Sequence, residues 1–154
     1  LENNIVCHCG KTGCLETGAS GSAVYRIFME KIQEGRASSL SQMHAKGEQI
    51  HIEDIIDAVN EEDVLAIEVV EEIGTVLGRA IAGLINLFNP ELIVIGGSVA
   101  EAKDYLLLPI KSAIQKHSLN IINSDTKIKL SKLGKKAGSI GSCMLSRSKL
   151  LGLI

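Results

Sequence analysis

Hydrophobic positions along this chain keep mostly to one rhythm, the three-and-four spacing of helices, with two short strand-like interruptions late in the sequence. Val24, Ile27, Phe28 and Ile32 are spaced three and four apart, which lays them on one face of a helix. Ser20 stands where an N-cap would accept a free backbone amide, and Glu34-Gly35 ends the run. The polar, Ser-rich stretch RASSLSQMHAKGEQ then predicts a loop. Helical order resumes in IHIEDIIDAV, where Ile52, Ile55, Ile56 and Val59 share a face. The strongest signal runs from Val64 to Phe88, with Ile67, Val70, Leu77, Ile81, Leu84 and Phe88 recurring as on a long buried helix. Asn89-Pro90 stops it. Gly74, Gly78 and Ala82 sit four apart on that helix and would let another backbone approach, at about 1 kcal/mol of helix propensity per glycine.

LIVIGG then predicts a short buried strand ending in two glycines. A further helix is expected from about Ala100 to His117, carrying Leu106, Ile110, Ala113 and Ile114, with a kink or split at Pro109. TKIKLSKL alternates Ile128, Leu130 and Leu133 imperfectly with lysines, as a strand with one wet face would. AGSIGSCMLSRSKLL predicts a closing helix with Ile140, Met144 and Leu150 on its apolar face. Residues 1–19 carry no period and read as a Gly-containing loop. Three helices followed by strand, helix, strand, helix predict an α/β layer arrangement in a single domain, residues 1–154.

Composition narrows this. With two Phe, two Tyr and no Trp, the core must be aliphatic. A net charge of −2 argues against a general affinity for polyanions. Charge is segregated: every charged side chain from Glu48 to Glu72 is acidic, and every one from Lys127 onward is basic. The basic tail has no aromatic residue on which a base could stack, so solvated faces are the better reading. No apolar run is long enough to span a bilayer and no signal peptide is visible, so no membrane partner is expected and a cytoplasmic location is. The chain opens at Leu1, just before its most unusual segment, which suggests part of a longer protein.

That segment is CHCGKTGCLE. Cys7, Cys9 and Cys14 form C-x-C-x4-C, and Gly10 and Gly13 permit the tight folding that lets three sulfurs converge. Zinc takes four ligands in a tetrahedron and binds thiolate or imidazole readily, so a fourth ligand is owed. His8 would have to turn back through a strained loop; His44, His51 and His117 could reach only by folding; the remaining source lies upstream of Leu1. Such a metal is structural, because a closed shell leaves no place for a reacting water. Glu16, directly after the cluster, is what the loop would present. No P-loop, H-E-x-x-H or G-x-S-x-G motif competes.

The stretch CHCGKTGCLETGASG, with GRAIAGLINLFNPELIVIGG and LGKKAGSIGS, resembles the ROK family of sugar kinases and NagC/XylR-type sugar-responsive repressors over essentially the whole chain. The resemblance implies the C-terminal lobe of an actin-like ATPase (ribonuclease H-like) fold, a mixed sheet with flanking helices. The N-terminal lobe and any DNA-binding segment would lie outside this chain. It implies structural zinc on Cys7, Cys9 and Cys14 with a histidine upstream of Leu1 as fourth ligand, and Glu16 accepting hydrogen bonds from sugar hydroxyls. Gly96 and Gly97 match the turn that lies against the nucleotide in the kinases, while Ser98 replaces a third glycine found in many of them. ATP and Mg would therefore be cofactors only in the kinase branch.

Two functions follow from the resemblance. One is the sugar-effector-binding and oligomerising lobe of a regulator, favoured by Ser98 and by the polar excursion before IHIEDII. The other is the C-terminal half of an ATP-dependent, glucokinase-like hexose kinase. In either case this length alone is expected to lack kinase activity. A sugar or sugar phosphate is the expected effector, DNA would be engaged only through a segment outside this chain, and a homo-oligomer is expected. The Gly74, Gly78, Ala82 stripe and the closing helix are the candidate association surfaces.

Overall fold

The computed structural model describes residues 4–119 and 125–152. Its helices are α1 (Gly21–Gln33), α2 (Ser41–Ala45), α3 (Ile52–Asn60), α4 (Val64–Phe88), α5 (Asp104–His117) and α6 (Ala137–Leu150). Two strands, β1 (Leu92–Ile95) and β2 (Lys127–Leu130), pair in parallel with Ile93 opposite Ile128 and Ile95 opposite Leu130. Parallel neighbours require a crossover, and α5 supplies it.

The predicted cap is present: Ser20 Oγ accepts from Ala23 N at the head of α1. A second, which the sequence reading did not name, is Asp63, whose Oδ1 accepts from Ala66 N at the head of α4. Asn89 closes α4 in the left-handed conformation at φ 43°. The core is apolar among the described residues: Val24 and Phe28 of α1 meet Ile55 and Val59 of α3 and Val69 and Ile73 of α4. Leu106, Ile110 and Ile114 of α5 join the same cluster.

The small-residue stripe faces inward. A Cβ placed on Gly78 would lie 2.7 Å from both Ala113 Cβ and Ile110 O, and one on Gly74 would lie 3.0 Å from Leu106 O. The stripe is therefore the seat of α5 and not an association surface, which corrects the expectation from sequence. Asn86 pins the far end of the pair, donating to His117 O at 3.3 Å and accepting from Leu119 N at 3.0 Å.

Other expectations need correction too. The buried stripe of α4 contains Leu65, Val69, Ile73 and Ile85 alongside the expected Val70 and Ile81, while Leu84 and Phe88 are exposed. Docking α5 on the glycines rotates those two outward. β1 is covered on one face only, leaving Leu92 and Val94 exposed. The Ser-rich stretch holds the short helix α2, anchored by Leu40 and Met43 against the core and by Asp63 Oδ2, which accepts from Ser39 N and Ser38 Oγ. The helix expected from Ala100 splits at Lys103 (φ 54°), not at Pro109, so a 3-10 turn (Ser98–Ala102) precedes α5. The apolar face of α6 is uncovered, with Ile140, Met144 and Leu150 all exposed. No helix among the described residues is long and apolar enough to cross a membrane.

Candidate metal centre and adjoining pocket

Segment 6–12 folds back on itself through an antiparallel bridge between Val6 and Thr12. Inside it Cys7 N donates to Lys11 O and Gly10 N to Cys7 O, both at 2.8 Å. Gly10 and Gly13 have φ of 82° and 73°, a conformation that side-chain-bearing residues rarely adopt. These two reversals bring the thiols toward one another: the sulfurs of Cys7, Cys9 and Cys14 all lie within 4.8 Å of one another, and those of Cys9 and Cys14 are 3.5 Å apart. Thiolates on tetrahedral zinc at about 2.3 Å would be about 3.8 Å from each other, so the three fit such an ion with little movement. None of the histidines His8, His44, His51 and His117 joins the cluster among the described residues.

The thiols are not equivalent. A backbone hydrogen bond from Lys11 and the neighbouring Cys14 thiol hold the Cys9 pKa below its ordinary value. Cys14 is pushed up to about 11, because its hydrogen bond with Cys9 and the nearby Cys7 favour keeping its proton. One thiolate forms easily and the next resists, the behaviour of crowded like charges. A divalent cation removes that conflict.

Cys14 also begins the next element. A 3-10 turn (Leu15–Thr17) follows directly, and Cys14 O accepts from Thr17 N at 3.1 Å and Thr17 Oγ1 at 2.8 Å. Glu16 is at the centre of this turn and exposed, with no hydrogen-bond or ion-pair partner among the described residues. At the other end of the turn Thr17 O accepts from Arg26 Nη2 at 3.1 Å, while Arg26 Nη1 reaches both carboxylate oxygens of Glu30 at 3.0 Å. A pocket of about 130 Å³ opens between loop and helix, lined among others by Cys7, His8, Glu16, Thr17, Ser22 and Arg26. The sequence pattern singles out neither Arg26 nor Ser22; the one available signal is the Arg26–Glu30 pair at i,i+4.

The structure sets the second group of candidates apart from the thiols. Gly96 and Gly97 turn the chain out of β1, Gly97 at φ 95° with open space where a Cβ would be, and Ser98 opens the following 3-10 turn. This turn abuts the start of α1: a Cβ on Gly21 would lie 3.7 Å from Ser98 Oγ. Since Glu16 precedes α1 by one short turn, both candidate groups are gathered around the same helix end. Two larger depressions contain none of the three clustered thiols, Glu16 or the Gly96–Ser98 turn. One of about 430 Å³ runs between α4 and α5, past Arg79 and Lys116, and one of about 610 Å³ lies along α6 at Cys143 and Leu150.

Comparison with known proteins adds a family frame. A model described as the ROK family matches residues 1–149. The chain is 39% identical to a glucokinase of Halalkalibacterium halodurans over 148 residues, 96% of this chain and 45% of that protein. It is 34% identical to the DNA-binding transcriptional dual regulator NagC of Escherichia coli over 148 residues, 96% of this chain and 35% of the regulator. Among solved structures, a ROK family transcriptional regulator homologous to the E. coli MLC protein superposes with a TM-score of 0.76 at 42% identity, covering 84% of this chain and 32% of that one. The chain thus spans less than half the length of each of these relatives.

Proposed function

Because this chain belongs to the ROK family and shares its actin-like α/β fold, we propose that it is the C-terminal lobe of a sugar-responsive regulator, binding a sugar or sugar-phosphate effector and mediating self-association. Its relatives include both regulators and glucokinases, so regulator or kinase is the frame. The observation that carries the proposal is the turn at residues 15–17. It is started by a thiol-cluster residue and presents at a pocket the Glu16 carboxylate, which has no partner among the described residues. A carboxylate without protein partners can accept from two neighbouring sugar hydroxyls with charge-assisted strength. The pocket, at about 130 Å³, is smaller than the ~300–1,000 Å³ of most small-molecule clefts, which supports one wall of a site completed by a second lobe.

Cys7, Cys9 and Cys14 would hold zinc, with a histidine upstream of Leu1 as fourth ligand. When bound, zinc supplies a structural cross-link and no reactive water. The chain's own residues do the rest: Gly10 and Gly13 set the reversals, and Cys14 O anchors the Glu16 turn. DNA would be engaged by a segment outside these residues. Self-association would use the uncovered faces of α6 and of the end of α4, where Leu87 and Phe88 are exposed. A cytoplasmic location accords with reduced thiols.

The kinase reading has its own support in the 39% identity to a glucokinase and in the open turn at Gly97, where a nucleotide and its Mg would lie. Ser98 in place of a further glycine favours the regulator. The test of the shared claim is Glu16→Gln in the full-length protein, titrated calorimetrically with glucose and with N-acetylglucosamine. Losing a charge-assisted bond should weaken the preferred sugar by about tenfold or more. Unchanged affinity for whichever sugar binds would overturn the assignment of Glu16.

A further inference from the structure

The turn that presents Glu16 is tied at both ends, and by different means. At its start, Cys14 O is held by two donors from Thr17. At its end, the carbonyl of Thr17 is held by a side chain nine residues further on, in the second turn of α1. We infer that Arg26 is a positioning residue for Glu16: its guanidinium, oriented by Glu30, fixes the end of the turn and so the direction of the Glu16 carboxylate. This inference rests on Glu16 being the sugar contact and adds what aims it.

The geometry distinguishes this from an ordinary surface ion pair. Such a pair on a helix face has no third partner and contributes little. Here Nη1 is occupied by both oxygens of Glu30, at 3.0 Å each, which leaves Nη2 pointed at the Thr17 carbonyl at 3.1 Å. The planar guanidinium makes these bonds in one rigid fork, whereas a lysine has a single nitrogen to share between them. Arg26 is about one-third exposed, so its bonds are partly shielded from water. It also lines the pocket beside Glu16 without forming an ion pair with it, which leaves the carboxylate available to a ligand. α1 is itself fixed by the burial of Val24, Phe28 and Ile32, so the arginine transmits the position of a rigid element to a loop residue. The thiol cluster adjoins the turn on the Cys14 side and Arg26 holds it on the Thr17 side.

A double-mutant cycle between Glu16 and Arg26 in the full-length protein tests this, read by calorimetric affinity for glucose and N-acetylglucosamine, zinc content and melting temperature. Arg26→Ala should weaken sugar binding about tenfold with zinc content unchanged. Arg26→Lys should recover part of the loss, and Glu30→Gln should cost two- to threefold. In a Glu16→Gln background Arg26→Ala should add less than about twofold, because the residue acts through the one already removed. If the two effects multiply in full, or if zinc and melting temperature fall in step with affinity, Arg26 is a structural or direct contact and the inference fails. If Glu16→Gln is silent while Arg26→Ala weakens binding, the Glu16 assignment itself is wrong, a pattern distinct from failure of the positioning role alone. Should Arg26→Ala not fold, Arg26→Lys and Glu30→Gln carry the same cycle.

Discussion

Replacing Gly78 by alanine adds one methyl group at the closest approach of two helices. The new Cβ would stand 2.7 Å from Ala113 Cβ and 2.7 Å from Ile110 O, with Ile110 Cα at 3.0 Å. Unstrained carbon contacts are about 3.5–4.0 Å, so α5 must retreat by close to an ångström. Two of the three obstructing atoms are backbone and the third is a Cβ, so no rotamer change relieves the overlap. Retreat would loosen Leu106, Ile110 and Ile114, all essentially buried, and stretch the Asn86 bonds to His117 and Leu119. Overpacking of this kind costs about 1–3 kcal/mol, and the rigidity of the seat argues for the upper end. Alanine returns about 1 kcal/mol of helix propensity, leaving a net loss of roughly 2 kcal/mol. At about 2–4 °C per kcal/mol for a chain of this size, the melting temperature should fall by roughly 4–8 °C. Gly83 on the same helix is the control: nothing lies within 4 Å of its would-be Cβ, so Gly83→Ala should raise the melting temperature by about 2–4 °C. Thermal unfolding followed by far-UV circular dichroism measures both. If Gly78→Ala is as stable as the parent, or if both substitutions shift stability in the same direction, the close seating of α5 on α4 is wrong.

Three further outcomes are expected. Asp63→Ala should cost about 1–2 kcal/mol, since it removes the cap on Ala66 N together with the acceptor for Ser39 N and Ser38 Oγ. Burial alone would raise the Asp63 pKa, but those bonds outweigh it and hold the carboxyl below its ordinary value. The contribution is therefore complete above the unfolded pKa of about 3.9 and is lost as pH falls through the lower folded value, so the gap between parent and variant in urea titrations should narrow below about pH 4. A gap that widens on acidification would contradict this. Cys14→Ser should abolish stoichiometric zinc in the full-length protein, measured by elemental analysis. In the parent, apparent zinc affinity should increase with pH, because binding displaces protons and Cys14 retains its own up to about 11; pH-independent affinity would oppose the three-thiolate site.

The extent to which the site was readable depended on whether its causes are local. The thiol cluster depends on eight consecutive residues, two of them glycines with positive φ, so spacing alone pointed to it. The carbonyl that Arg26 grips is invisible to any pattern of side chains, because every residue has one. Likewise Gly96 and Gly97 announce a turn, but their nearness to the start of α1 follows from how β1 packs.

The limits of α4 were legible in the sequence, its start at Val64 from the onset of the apolar period and its end from the Asn89-Pro90 breaker, which acts on its immediate neighbours; the Asp63 cap at the start appears only in the structure. Its buried face was not. VLAIEVVEEIGTVLGRAIAGLINLF carries apolar residues on more than one stripe, and helical periodicity cannot rank them. The partner helix did, by seating on Gly74 and Gly78 and turning Leu84 and Phe88 outward. α2 is too short for periodicity to register and exists because Leu40 and Met43 reach the core. The helix break fell at Lys103, where the chain must reverse into α5, although Pro109 carries the louder local signal. Backbone propensity and capping are decided within a few residues along the chain, whereas burial is decided by which other surface arrives, and that is settled only when the whole chain has packed.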